Sequence, residues 1–281
     1  MTNMTIDLAP AGTPAGLLDE LYRREPLFTA AGIFMLMLMV PTGLAWLLDD
    51  RTFQGVNVWL KPLKFELSIS VYLLSLAFFV KWLPEGTRRK RWYRVYAVAI
   101  VAGLVAEMGW IVFASSNGVA SHYNETSLAW TVALMMAGLT AVMFTLAAPV
   151  YGYQIWRNPD TGLPPAMKTA IVDGLVLTGM LTIVTAGYLG SNGSHFVGDG
   201  QTDAGGMPFF GWSRDGGDLR VAHFFATHAL QAIPIFGWAA TLAGGGQRVL
   251  PVRLFALAYT AFVAFAFVQA LMGQPFLPFI R

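Results

Sequence analysis

The residues of this chain best suited to chemistry are few. They are four histidines (His122, His195, His223 and His228), one carboxylate inside an apolar run (Glu107), and the cations Lys61, Lys64 and Arg220. Neutral imidazole is a good ligand for Zn, Cu and Fe, so the four histidines are the candidate ligands of a metal ion or of haem b. Glu107 and His228 are the candidate general acid and base. Lys61, Lys64 and Arg220 would hold an anionic group such as a haem propionate, a quinone oxygen or a lipid phosphate. Trp59, Trp110, Tyr123 and Trp212 can wall such a site, although Trp and Tyr also populate membrane interfaces for purely structural reasons.

Spacing limits what these residues do alone. The stretch Gly216-Gly217-Asp218-Leu219-Arg220 reads as a flexible turn, an Asp N-cap and a helix start. On the helix that follows, His223, Thr227, Gln231 and His228 fall at about 0°, 40°, 80° and 140°, one wide face. Two histidines five residues apart converge poorly, so a metal would need further ligands from His122, His195 or Glu107.

The elements that must position these groups are membrane spans. The chain has 281 residues, of which 56% are hydrophobic and 12% charged, about half the charge of a soluble domain. Runs of roughly 20 apolar residues, enough to cross a bilayer, recur at 27–48, 59–83, 93–116, 127–156, 166–190, 219–243 and 252–276. Each must be helical, because an open strand leaves backbone groups unpaired in lipid. The reading is an all-α polytopic bundle of about seven transmembrane helices over 27–276, with short segments 1–26 and 277–281 outside it. The fourth run is overlong and invites a tilt or a bend at Pro149, and Gly273-Gln274-Pro275 closes the seventh. Leu17–Arg24 fits either a short amphipathic surface helix or a frayed tail.

Loop charge sets orientation. Arg88, Arg89, Lys90 and Arg91 crowd the second loop, Arg157 and Lys168 flank the fourth, and Arg248 and Arg253 flank the sixth. Excess Lys and Arg marks cytoplasmic loops, which predicts an N-in, C-out bundle. All four histidines then fall toward the outer side, with Glu107 and His228 each about 14 Å deep. Loop 191–218 is 28 residues long and glycine-rich, a length typical of lids or linkers. Its apolar stretch Met207–Trp212 favours a lid that packs back on the bundle. Asn124-Glu125-Thr126 matches a glycosylation sequon. No internal repeat is evident.

Absent cysteine excludes disulfides, thiolate catalysis, cysteine-ligated clusters and c-type haem. A net charge of +2 without a basic face gives no reason to expect nucleic acid as a partner.

The segments GVNVWLKPLKFELSI, SHYNETS, GSHFVG and GWSRDGGDLRVAHFFATHALQ together resemble an uncharacterised family of bacterial seven-span inner-membrane proteins, over most of residues 27–243. The resemblance implies a bacterial cytoplasmic-membrane location and brings no activity. The plan is also loosely similar to seven-span membrane zinc hydrolases of the ceramidase and adiponectin-receptor class, but the seventh span here lacks their histidine pair. A microbial rhodopsin is excluded, since that span has no lysine for a retinal Schiff base.

The expectation is an outward-facing, histidine-rich polar site that binds a metal or haem for redox or hydrolytic chemistry. Its alternatives are a transporter or receptor for a small anion or lipid, or an assembly factor of a membrane complex. The lipid bilayer is the expected partner, with a small molecule, quinone or lipid as ligand.

Overall fold

The computed structural model describes residues 14–123, 127–198 and 202–279, so the sequon at 124–126 lies outside the described residues. Six helical stretches are long and apolar enough to cross a membrane: Pro26–Leu48, Leu60–Trp82, Arg91–Ser116, Leu128–Arg157, Pro165–Ser191 and Val249–Leu271. Their outward surface is apolar, with Leu44, Val95, Met135, Leu257 and Phe265 all exposed. So extensive an apolar exterior suits lipid rather than water, and it marks the chain as a membrane protein.

We number the helices α1 (Pro14–Arg24), α2 (Pro26–Leu48), α3 (Leu60–Phe79), α4 (Arg91–Ser116), α5 (Leu128–Thr145), α6 (Ala147–Arg157), α7 (Pro165–Ser191), α8 (Leu219–Thr227), α9 (Ala229–Ala240) and α10 (Val249–Leu271). α1 is folded rather than frayed: Leu21 is buried, and Glu20 pairs with Arg23 and Arg24 along its exposed side. The overlong fourth stretch divides at Leu146. The cause is Pro149, which donates no hydrogen bond and whose ring crowds the carbonyl four residues back.

The sixth apolar run departs most from expectation. It forms two short helices, α8 and α9, that meet at His228 (φ −91°, ψ 3°), followed by a π-helical turn over Thr241–Gly245. Pro234 lies within α9 and removes the bond that the Leu230 carbonyl would otherwise accept, which loosens the turn next to His228.

Cross-links between loops establish two ends of the bundle. At one, Asn158 donates to the Trp82 carbonyl, Lys168 to the Asn158 carbonyl, and the Ala166 amide to the Gly246 carbonyl. The basic loops after α3, α6 and α9 therefore share an end, here called the basic end. At the other, Arg51 donates to the Ser116 carbonyl, Tyr123 to the Leu189 carbonyl, and Asp203 to the Gln54 carbonyl. The loop after α2 contains a short hairpin, Thr52–Phe53 against Val56–Asn57. Its turn residues Gln54 (φ 51°) and Gly55 (φ 82°) have the positive φ that a tight two-residue hairpin requires.

The core has two parts. Leu73, Leu76, Ile100, Leu104 and Ile111 form the centre of a large cluster around α3 and α4. A second seam, of Ala166, Ala170, Ala229, Ile233, Val252 and Ala256, joins α7, α9 and α10. Small residues allow helices in lipid to approach closely. A Cβ on Gly237 would sit 2.2 Å from the Ala170 Cβ, so α7 and α9 touch there through glycine. Gly237→Ala should force these helices apart and cost about 1–3 kcal/mol. A thermal melt in mild detergent checks this, with Gly43→Ala, which meets nothing within 4 Å, expected to unfold as wild type does.

Candidate functional site

Segments 192–198 and 202–218, called the lid here, pack at the end opposite the basic loops. The two ends of the lid are pinned together, Phe196–Val197 pairing antiparallel with Gly217–Asp218. Within the apolar stretch Met207–Trp212, Trp212 is buried among Phe224, Phe225 and Phe276, while Phe209 is exposed. The Thr202 hydroxyl donates to the Gln54 carbonyl and ties the lid to the hairpin.

Arg220, in the first turn of α8, organises the lid's charges. Its guanidinium grips Asp218 in a two-pronged contact (Nε–Oδ1 2.9 Å, Nη2–Oδ2 2.6 Å). It also meets Asp203 Oδ1 at 2.7 Å and donates to the Gly211 carbonyl at 3.0 Å. Asp218 serves at the same time as the expected N-cap, accepting from the Arg220 amide. His195 Nε2 lies 3.5 Å from Asp203 Oδ1. Burial works to raise the Asp203 carboxyl, but His195 and Arg220 outweigh it and hold the group below its ordinary 3.8. Arg220 thus ties the two parts of the lid together, while His195 Nε2 and Asp203 Oδ1 face one another without a hydrogen bond among the described residues.

A second constellation lies at the start of α3. Lys61 Nζ is 3.1 Å from His122 Nδ1, which also faces the Ser121 hydroxyl at 3.0 Å. His122 Nε2 stands 3.9 Å from Glu107 Oε1, beyond hydrogen-bond range. Glu107 is buried, and its Oε2 has no hydrogen-bond partner among the described residues. Among the described residues no carboxylate lies within 4 Å of the Lys61 ammonium. Lys64 is in the same position, donating only to the Phe210 carbonyl of the lid, at 2.8 Å. Burial first, and then the Lys61 charge, push the His122 imidazole down to about 3 from its ordinary 6.5, so His122 is neutral at physiological pH.

The other two histidines diverge. His223 Nδ1 faces the Thr185 hydroxyl of α7 at 3.4 Å. His228 Nδ1 meets Gln231 Oε1 at 3.2 Å, and Gln231 Nε2 reaches the Ser75 hydroxyl of α3 at 3.1 Å. The bend at His228 divides the single face that a straight helix would present, and the two imidazoles bond to opposite neighbours. Among the described residues, no three His, Asp or Glu side chains gather as a metal ion would require. The aromatic wall is likewise dispersed. Trp59 donates to Asp49, Trp110 to the Ser121 carbonyl, and Tyr123 to the Leu189 carbonyl.

Asp203, Thr185 and Ser75 are the partners that sequence reading does not single out. Asp203 is one of several acids in a glycine-rich loop, and a lone Ser or Thr in a span carries no signal of its own. Comparison with protein-family models, with curated proteins and with solved structures finds no match, so fold and geometry alone define the class: a helical membrane protein with a lidded, buried polar site at one end.

Two measurements follow. Between pH 6.5 and 3 the unfolded chain binds a proton at His122 that the folded chain refuses, so stability falls as pH drops through that window and is unaffected by this group above it. The slope from one such group approaches about 1.4 kcal/mol per pH unit. His122→Gln should therefore shrink the loss of melting temperature between neutral pH and pH 5; an unchanged loss would contradict the burial of a neutral imidazole. Asp203→Asn should weaken the hold of Arg220 on the lid. Amide exchange in residues 202–218 is expected to speed up at least tenfold, with exchange in α3 and α4 unchanged.

Proposed function

We propose that the chain is a seven-span protein of the bacterial cytoplasmic membrane, with its N-terminus inside. Its lidded outer end acts as a binding site for a small organic anion, with Lys61, His122 and Glu107 managing the proton. The grouping of the Lys- and Arg-bearing loops at one end supports this orientation. The α8–α9 run, which joins the lid to a basic loop, supports a seventh crossing.

One observation carries the binding reading. A part-buried ammonium, met among the described residues by one imidazole and the face of Phe65, stands near a buried carboxyl one of whose oxygens has no hydrogen-bond partner among those residues. Buried charges and buried polar atoms without partners are costly. They persist where a ligand completes them. The complement is specific: an anionic oxygen for Lys61 and a donor, such as a hydroxyl or a protonated acid, for Glu107. Small hydroxy or carboxylic acids meet both needs. Neutral His122, between them, can relay a proton from one to the other once a ligand closes the 3.9 Å gap.

The test is a thermal-shift screen in mild detergent with small mono- and dicarboxylic acids and their hydroxy derivatives. A true ligand at a hundredfold excess over its Kd should stabilise by roughly 2.7 kcal/mol. Lys61→Met should abolish that gain, and Glu107→Gln should weaken it. No stabilisation by any acid, or equal stabilisation of Lys61→Met, would remove the proposal. A visible spectrum and metal analysis of the same sample address the metal or haem reading. A Soret band, or near-stoichiometric Zn, Cu or Fe lost in His223→Ala, would replace anion binding with cofactor chemistry.

A further inference from the structure

At the basic end, far from the lid, α1 folds back against α2 and α3 and with the start of α4 lines a cleft of about 880 Å³, well within the size range of small-molecule sites. Its charged lining is unbalanced. Arg23, Arg24, Lys81, Arg88, Arg89 and Arg94 face it, against Glu20, Glu25 and Glu85. The acids are largely committed. Glu20 is held by Arg23 at 2.6 Å and by Arg24 at 2.8 Å. Glu25 is buried, accepts from the Tyr93 hydroxyl at 2.6 Å and faces Arg88 Nε at 3.5 Å. Among the described residues, Arg89 and Arg94 have no carboxylate within 4 Å. Thr87, almost wholly buried in the cleft wall, has a hydroxyl with no partner among the described residues.

Orientation in the membrane explains why Lys and Arg abound at this end. It does not explain a concave site with unpaired guanidinium groups and an unbonded hydroxyl in its wall. The cleft is also not purely polar. Leu27, Val80 and Ala97 line its floor, and through Arg94 and Val98 it adjoins a second groove of about 530 Å³ bounded by Val95 and Ala99 on the outer face of α4. Charge at one point and an apolar track running from it match an amphiphile with an anionic head.

The geometry points to an anionic-phospholipid site, with the phosphate held by Arg89, Arg94 and Thr87 and an acyl chain laid along the Val95–Ala99 face of α4. Arginine pairs with phosphate through two parallel bonds, and basic pockets at helix ends are the usual seats of anionic lipid heads. α1 closes one wall of the cleft, so the bound lipid also fastens this helix to the bundle.

Native mass spectrometry of detergent-released protein, offered equal amounts of dioleoyl phosphatidylglycerol and dioleoyl phosphatidylcholine, tests the site. The wild type should retain one phosphatidylglycerol in preference. Arg89→Gln with Arg94→Gln, both at exposed positions, should weaken that retention roughly thirtyfold, from the typical contribution of two basic residues at an anionic surface. Arg248→Gln with Arg253→Gln, basic and exposed but outside the cleft, should leave it intact. Equal loss in both variants, or equal retention of phosphatidylcholine, would overturn the assignment. If inorganic phosphate at matched ionic strength stabilises the wild type but not the cleft variant, the occupant is a free phosphate and the lipid assignment falls. A melt of each variant without lipid separates lost binding from lost folding, and single Arg94→Gln serves if the double variant unfolds.

Discussion

The lidded end depends on one guanidinium. Arg220 keeps its proton under all ordinary conditions, and it lies at the head of a helix beneath a closed lid. It must therefore be met by negative charge, and the chain supplies it from two directions. Asp218, two residues earlier, accepts the side chain and the Arg220 amide together, which fixes where α8 begins. Asp203 comes from the middle of the lid, which fixes where the lid lies. The same guanidinium stands 5.4 Å over the Phe196 ring, beside His195, so the chain leaving α7 is held as well. Removing the cation would leave Asp218, fully buried, and Asp203, half-buried, without their shared partner, and unpaired buried charge is far more costly than a missing surface pair.

The two ends handle charge by different physics. At the basic end most cations are exposed, and their helical ion pairs contribute little individually; their work is collective, through orientation and through the field over one cleft. At the lidded end the charges are fewer and more buried, and some are incompletely matched. Glu66 illustrates the structural limit of this pattern. One of its oxygens accepts from the Thr42 hydroxyl at 2.7 Å and so ties α2 to α3, while the other stays without a partner. Glu107 likewise has one oxygen without a partner among the described residues, but its nearest ionisable neighbour there is the His122 imidazole at 3.9 Å. The same residue type, buried to a similar degree, acts as a strut in one place and stands less tied in the other.

Much of the architecture was legible in the sequence because lipid permits so few solutions. Apolar runs of sufficient length have to be helices, so the boundaries at Leu48, Ser116 and Ser191 fall close to where composition changes. The Asp218 cap, the bend upstream of Pro149 and the packing of Trp212 were readable because each follows from local chemistry: a short acceptor before a helix, a missing donor, an apolar patch in a polar loop. The division of the sixth run was not. Helical-wheel reasoning assumes a straight axis, and a single bend at His228 sends two imidazoles to different neighbours. Nor could spacing foretell that Arg220 would meet Asp203, because that contact joins segments whose separation in sequence is filled by glycine-rich loop. Histidines common to one end of a bundle share a depth, and depth alone does not bring side chains together.

The bend at His228 also separates two packing units. Before it, Val221, Ala222 and Phe224 of α8 belong to the aromatic cluster of the lid, with Trp212, Ala266 and Phe276. After it, Ala229 and Ile233 of α9 belong to the small-residue seam with α7 and α10. Between them His228 meets Gln231, which reaches Ser75 of α3. Irregular backbone at membrane depth is tolerated only where it is buried in protein or lines a polar cavity, and polar side chains surround this junction. A helix interrupted at this point lets α8 follow the lid while α9 remains fixed by the close contact at Gly237. The junction at His228 therefore divides one apolar run into a helix packed on the 202–218 segment and a helix packed on the bundle, with the backbone hydrogen bonds from His228 to Phe224 and from Ala232 to His228 kept across it.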